Sequence, residues 1–303
     1  MNRVLDLLAE RAWFLSRLGW GLALLFGAYV WYELTTTVGL PVDVNVYWSA
    51  NPNNLYPNPE LLHSNGYNYS PAFELVVGWG RLLPFDVFVA IWRAAIILAF
   101  IWLAGPVGAL VIFWVPVASE INAGNIQILL ALAVVLAFRG GFWPATWAFV
   151  LLTKVTPGVG LLWFALRREW RALAIAFGAT AVIAAVTFVL WPDRWFGWLR
   201  LLTAGTPVPV PPYYLPFWPR IAAAVVIIAV GAWRGWRWPV VVGATMALPV
   251  FFSLSPAMLV GVLPFLRGAV SRWAARRRES NAAARDQTLR AQGNPATGGI
   301  LAG

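Results

Sequence analysis

The sequence predicts an all-α, polytopic helical membrane protein, and three observations lead there. Of its 303 residues 60% are hydrophobic and 11% charged, against about 25% charged in ordinary soluble domains. Several apolar runs reach roughly 17 to 25 residues, the length of helix that crosses a bilayer core of about 30 Å. The runs are solidly apolar, whereas a membrane barrel alternates over about ten residues per strand. About 8 to 10 transmembrane or re-entrant helices are expected at these lengths.

Composition also removes whole classes of chemistry. Without cysteine there are no disulfides or thiolate metal sites. With His63 the lone histidine, zinc chemistry and a Ser-His triad lose their support, and no metal or other cofactor is expected. The net charge of +10 would point a soluble protein toward nucleic acid, but here the arginines sit at span ends. They read instead as topology signals and contacts for membrane lipids.

In chain order, residues 1–17 form an amphipathic lead-in carrying Arg3, Arg11 and Arg17. A first, uncleaved span follows from Leu18 to Leu34. The positive-inside rule puts the N-terminus in the cytoplasm and the polar segment Thr35 to Ser70 outside. Pro71 opens a helix expected to return to Arg81, short for a full span, and Phe85 to Ala104 crosses outward with Arg93 at mid-span. An intramembrane arginine is either functional or paired with an acid, here Glu74 or Glu120. Residues 105–123, broken by Pro106 and Pro116, read as a bent or re-entrant element before a helix from Gly124 to Phe138.

Arginines flank residues 142–166 on both sides, and the interruption Thr153, Lys154, Val155, Thr156, Pro157 lies at their centre. Pro157 disfavours continuous helix, so a hairpin with Lys154 at its tip is expected. Residues 172–191 cross outward. A second outer loop runs from about 192 to 217, with an amphipathic part and then the Pro-rich run Pro207 to Pro219. Spans at about 218–233, 238–254 and 257–270 complete one transmembrane domain, residues 1–270. Residues 271–303 form a basic cytoplasmic tail, near anionic lipid and expected to lack fixed structure from about residue 280. Both termini are then cytoplasmic. The rule leaves over Arg93, Lys154, Arg194, Arg200 and Arg220.

The first outer loop is where chemistry can meet water, and Asp43 is its candidate base. A carboxylate beside aromatic residues at a membrane edge can take a proton from a sugar hydroxyl while flat rings face the sugar. On pattern alone Asp43 is equally an N-cap or a solvated loop acid. A buried lysine and outer arginines suit a lipid-phosphate substrate, whose charge needs cations at the bilayer surface.

The string Asp43, Val44, Asn45, Val46, Tyr47, with Tyr69, Ser70 and Pro71 after it, resembles the first-loop motif of the polyprenol-phosphate-mannose-dependent mannosyltransferases, glycosyltransferase family 87, which have the GT-C membrane fold. Gly124, Asn125, Ile126, Gln127 opening an apolar helix is similar to a second stretch of that family, and Lys154 to Pro157 followed by Arg167, Arg168, Glu169, Trp170, Arg171 to a third. The resemblance covers about residues 17–270. It implies a metal-independent inverting hexosyltransferase with Asp43 as base and no cofactor. It further implies a polyprenyl-phosphate sugar donor, typically mannose, and a lipid or glycan acceptor at the outer face of the plasma membrane. Asn45, Tyr47, Trp48, Tyr69, Asn125, Gln127, Lys154, Arg194 and Arg200 are the expected substrate-binding residues. The sequence departs from the family at Asn125 and Gln127, an amide pair in swapped order. It departs again after Ser255 and Pro256, where Ala257, Met258, Leu259, Val260 and Gly261 replace a Ser-Trp and His motif. A transporter or lipid flippase, or a non-catalytic membrane partner, are the competing readings.

Overall fold

The computed structural model describes residues 11–37, 39–57, 66–204 and 216–292, and all regular structure among them is helical. His63, residues 1–10 and most of the Pro-rich run lie outside the described residues. Among the described residues four helices are long and apolar enough to cross a membrane. These are α1 (Ala12–Thr36), α3 (Phe85–Ala104, whose apolar stretch continues to Val111), α8 (Trp170–Leu190) and α10 (Phe217–Arg234). Between α1 and α3 stands the short α2 (Val42–Ser49). A bent pair, α4 (Val115–Ala123) and α5 (Gln127–Ala137), makes a fifth candidate span. Shorter helices α6 (Trp143–Thr153), α7 (Thr156–Leu166), α9 (Pro192–Ala204) and α11 (Trp238–Met246) fill in, and α12 (Leu263–Gln292) ends the described chain.

Helices α1 and α3 run antiparallel along a seam of small residues. Gly19 lies against Pro106, Ala23 against Gly108, and Gly27 against Ile97 and Ile101. Small residues let two helices approach closely where lipid supplies no hydrophobic drive. Near the seam's end Trp31 Nε1 donates to the Ala90 carbonyl at 2.8 Å. Arg93 donates to the Leu34 carbonyl and, at 3.0 Å, to that of Asn122. Arg93 therefore binds helix-end carbonyls and not the acid expected for it; Glu74 pairs with Arg81 instead.

The segment expected to return from Pro71 to Arg81 does not cross. Residues 71–82 form short helical turns beside α2, where Arg81 donates to the Tyr47 carbonyl at 3.2 Å and Trp48 Nε1 to that of Leu83 at 3.0 Å. At 1.5 Å rise per residue such a stretch gains only about 18 Å, too little for a bilayer. Helix α3 makes the return, and the chain after it climbs back along α1, where Phe113 meets Phe26 at 5.4 Å. The directions read from sequence between residues 71 and 123 are thus reversed.

Helices α4 and α5 meet at 106°. The elbow is at Gly124, whose φ of +71° is left-handed, a conformation glycine reaches without a Cβ penalty. Val44 of α2 occupies the space a Cβ would need, and Trp92 Nε1 donates to the Gly124 carbonyl at 2.7 Å. Helix α5 descends to Phe138, which stacks on Phe164 at 4.9 Å. Helices α6 and α7 form the expected hairpin: Lys154 is extended at its tip (φ −139°, ψ 103°), and Trp163 Nε1 donates to the Trp236 carbonyl at 2.8 Å near its base.

Helix α8 rises along this hairpin to α9, whose buried Trp195, Trp198 and Leu201 pack on Ala72, Ala148 and Leu152. Helix α10 descends and α11 rises. Arg220 ties their ends by donating to the carbonyls of Met246 (2.6 Å) and Leu248 (2.7 Å). Residues Ser255–Val262 then descend into α12, where Arg267 donates to the Trp102 carbonyl at 3.0 Å and faces the Trp20 ring. The starts of α1 and α12 therefore share one end of the bundle. The tail expected to lack structure continues as α12 to Gln292, because its Ala, Arg, Glu and Gln residues are strong helix formers.

Gly124→Ala is expected to destabilise the protein by about 1–2 kcal/mol from the left-handed backbone alone, with the Val44 contact adding to it. Thermal unfolding in detergent measures the loss.

Candidate functional site

The site is assembled where three chain breaks meet: α2, the elbow between α4 and α5, and the tip of the α6–α7 hairpin. Asp43 stands in the first turn of α2, a position that favours a carboxylate near the free N–H groups of the helix. Four residues on, Tyr47 lies on the same face. Its hydroxyl is 3.1 Å from that of Tyr69, and its ring makes edge contacts with Tyr69, Phe73 and Trp92 at 5.3 to 5.6 Å between centroids. Tyr47 is wholly buried and Tyr69 nearly so. They act as the wall that holds Asp43 in place.

Asn125, at the elbow, accepts the Ile126 N–H through its side-chain oxygen at 2.7 Å. Its amide nitrogen is thereby left to donate to Asp43, with which it hydrogen-bonds. Lys154 faces the same carboxylate as its opposite charge. Burial pushes the Asp43 carboxyl up to about 6, and the Lys154 ammonium and the Asn125 bond keep it from going higher. A carboxylate so placed is ionised at neutral pH yet a stronger proton acceptor than an ordinary aspartate.

One bond ties the loop to the hairpin and a second ties the loop to itself. Buried Ser70 donates through Oγ to the Leu152 carbonyl, one of the last of α6. Tyr56 donates through its hydroxyl to the Tyr69 carbonyl at 2.6 Å. Against Tyr56 lie Gly197 of α9 and the charge of Arg194, which also stacks over Trp191 at 4.7 Å.

The structure thus gathers Asp43, Tyr47, Tyr69, Asn125 and Lys154 from the residues expected at the site. Gln127 is buried a turn away, with both side-chain polar atoms free of hydrogen bonds among the described residues. Trp48 packs edge-on against Phe85 beneath α2. Asn45 and Arg200 are exposed, on faces turned away from this cluster, and Arg194 sits beside Tyr56. Ser255, from the shortened late motif, is buried and accepts the Phe252 N–H at 2.9 Å.

Sequence reasoning missed the role of Glu120. It was expected near Arg93, but one carboxylate oxygen accepts the backbone N–H groups of Gln127 and Ile128, and the nearby charge acting on it is that of Lys154. An acid just ahead of the Gly124 break and the start of α5 was the available signal, since carboxylates favour helix N-termini.

The sequence model of glycosyltransferase family 87 matches residues 67–289 of this chain. The chain belongs to glycosyltransferase family 87. Within the family-87 match fall Tyr69, Glu120, Asn125, Gln127, Lys154, Arg194 and Arg200, while Asp43 precedes it. Over 108 residues the chain is 37% identical to a Mycobacterium tuberculosis protein named polyprenol-phosphate-mannose-dependent alpha-(1-2)-phosphatidylinositol mannoside mannosyltransferase. That alignment takes in 34% of this chain and 25% of the relative, so the chain spans about a quarter of the relative's length there. No solved structure gives a significant match.

Ser70→Ala leaves the Leu152 carbonyl buried and unpaired. A loss of about 1–3 kcal/mol is expected, read as a lower unfolding temperature in detergent.

Proposed function

We propose that the protein is an inverting, metal-independent glycosyltransferase that moves a sugar from a polyprenyl-phosphate donor to a lipid or glycan acceptor at the outer face of the plasma membrane. The observation that carries the reading is the Asp43 carboxylate, oriented by Asn125 and facing Lys154. Membership of family 87 supports sugar transfer, and mannose follows the relative's name. The membrane side rests on the basic residues: the starts of α1 and α12 lie at the end of the bundle away from Asp43, and the arginines of α12 mark that end as cytoplasmic in this reading.

In this reading Asp43 removes the proton from an acceptor hydroxyl. The acceptor oxygen attacks C1 of the donor sugar from the face opposite the phosphate. The new C1–O bond forms as the old one breaks, and the electron pair leaves on the polyprenyl phosphate. A cation is needed there as charge develops on the departing oxygen. Lys154 acts on the base directly, and Arg194 on α9, beside Tyr56, is the outer cation the phosphate would meet. Gln127, buried near Asn125 with both polar atoms free of hydrogen bonds among the described residues, serves as a polar contact for sugar, whereas Asn45 faces away. Tyr47, Trp48 and Tyr69 serve substrate by fixing α2.

Membranes containing Asp43→Asn, supplied with polyprenyl-phosphate mannose, are expected to lose transfer by at least about 100-fold, the lower range for a general base, with normal accumulation of the protein. Unchanged transfer would refute Asp43 as the base. Because the base must be ionised, kcat/KM of the wild type should rise with pH and reach half its plateau near the Asp43 pKa of about 6. A flat profile from pH 5 to 8 in the assay is the contrary outcome.

A further inference from the structure

We infer that Glu120 is a positioning residue, and that it works by holding the Lys154 ammonium between its own carboxylate and that of Asp43. The inference deepens the transferase reading and, for its effect on activity, rests on it. It starts from the backbone. The start of α5 presents free N–H groups, a place that commonly receives an anion from outside. Here the Gln127 and Ile128 N–H groups are already taken by one oxygen of Glu120. The carboxylate is therefore fixed across the elbow by backbone and cannot swing toward another partner.

Its other oxygen is wholly buried and makes no hydrogen bond among the described residues. A buried carboxylate oxygen left in that state is costly unless a cation faces it. Lys154, at the hairpin tip where the chain is extended, is the cation whose field reaches that carboxylate, although the two close no direct ion pair. The same ammonium faces Asp43. One cation thus lies in the field of two carboxylates from two different elements, and the one fixed by backbone is the reference for where it stands.

The groups around Asp43 are few. From α2 and the loop come Tyr47 and Tyr69, from the elbow Asn125, from α4 Glu120, and from the hairpin tip Lys154. The Arg81–Glu74 pair reaches α2 through the Tyr47 carbonyl, and Arg93 is bound to carbonyls of Leu34 and Asn122. Of these, Lys154 is the charge that acts on Asp43 directly, so Glu120 reaches Asp43 through Lys154.

Glutamine at position 120 keeps a carbonyl oxygen for the same two N–H groups and removes the charge alone. The first experiment needs no activity: thermal unfolding of the purified full chain in detergent for Lys154→Met, Glu120→Gln and the double variant. Lys154→Met strands two carboxylates and should unfold several degrees lower. Adding Glu120→Gln should recover most of that loss, and a double variant no more stable than Lys154→Met overturns the pairing. The second is the pH profile of kcat/KM. Lys154→Met should move the acidic limb up by about one pH unit, and Glu120→Gln should move it down by roughly half a unit. In the Lys154→Met background Glu120→Gln should move it no further. An acidic limb unmoved by Glu120→Gln overturns the positioning role, even where turnover falls. Absence of transfer in the wild type would sink the transferase reading alone and leave the unfolding series to decide the pairing.

Discussion

Placing a lysine ammonium inside a bundle of apolar helices is the constraint on which the rest of this structure turns. Removing such an ion from water costs several kcal/mol even after relaxation. The fold must therefore bring carboxylates to it. Asp43 and Glu120 come from α2 and α4, and Lys154 from the tip of a hairpin, so three separate parts of the chain have to be interrupted at one level of the bundle. Pro157 breaks the hairpin, Gly124 turns the elbow, and α2 is a helix of only 8 residues set between α1 and the turns at 71–82. Each break frees backbone groups, and these are then used: the N–H groups exposed by the elbow bind Glu120, and the late carbonyls of α6 receive Ser70.

The remaining cations sort by the same accounting of backbone groups. Arg93 and Arg220 look alike in sequence, single arginines in apolar helices. Both turn out to donate to carbonyls at the ends of neighbouring helices, Leu34 at the end of α1, and Met246 and Leu248 at the end of α11. The last carbonyls of a helix have no partner within it and carry the negative end of its dipole. A guanidinium with five donors answers two or three of them at once. Arg220 lies in addition between the rings of Phe217 and Phe251. Lys154 differs in having carboxylates as partners, and a single compact charge suits that better than a planar fork.

What could be read from sequence follows from which physical signals are local. Run length and the absence of alternation gave the helical membrane class, and the span expected at 85–104 matches α3, which Pro84 and Gly105 flank. The hairpin was legible because Pro157 acts on its own neighbours. The course of residues 71–123 was not legible: whether Pro71 to Leu82 crosses depends on Arg81 and Trp48 finding the carbonyls of Tyr47 and Leu83. Those contacts are invisible in the composition of the stretch. At the site, Asp43 and Asn125 stood out by type and pattern. Glu120 did not, since its partner lies 34 positions away and a nearer arginine seemed to claim it.

How α2 comes to stand at the elbow depends on α1, which is mostly exposed and touches the bundle along a narrow line. Gly19, Ala23 and Gly27 set how close it lies to α3, but small residues packed by dispersion alone leave rotation about the helix axis weakly determined. Two directional bonds at the far end remove that freedom, Trp31 to the Ala90 carbonyl and Arg93 to that of Leu34. Both lie within the last two turns before the loop, where a small rotation would be carried directly into α2. Because Arg93 also holds the Asn122 carbonyl of α4, the same side chain references the loop to the elbow. The placement of Asp43 against Asn125 thus depends on an arginine that touches neither of them.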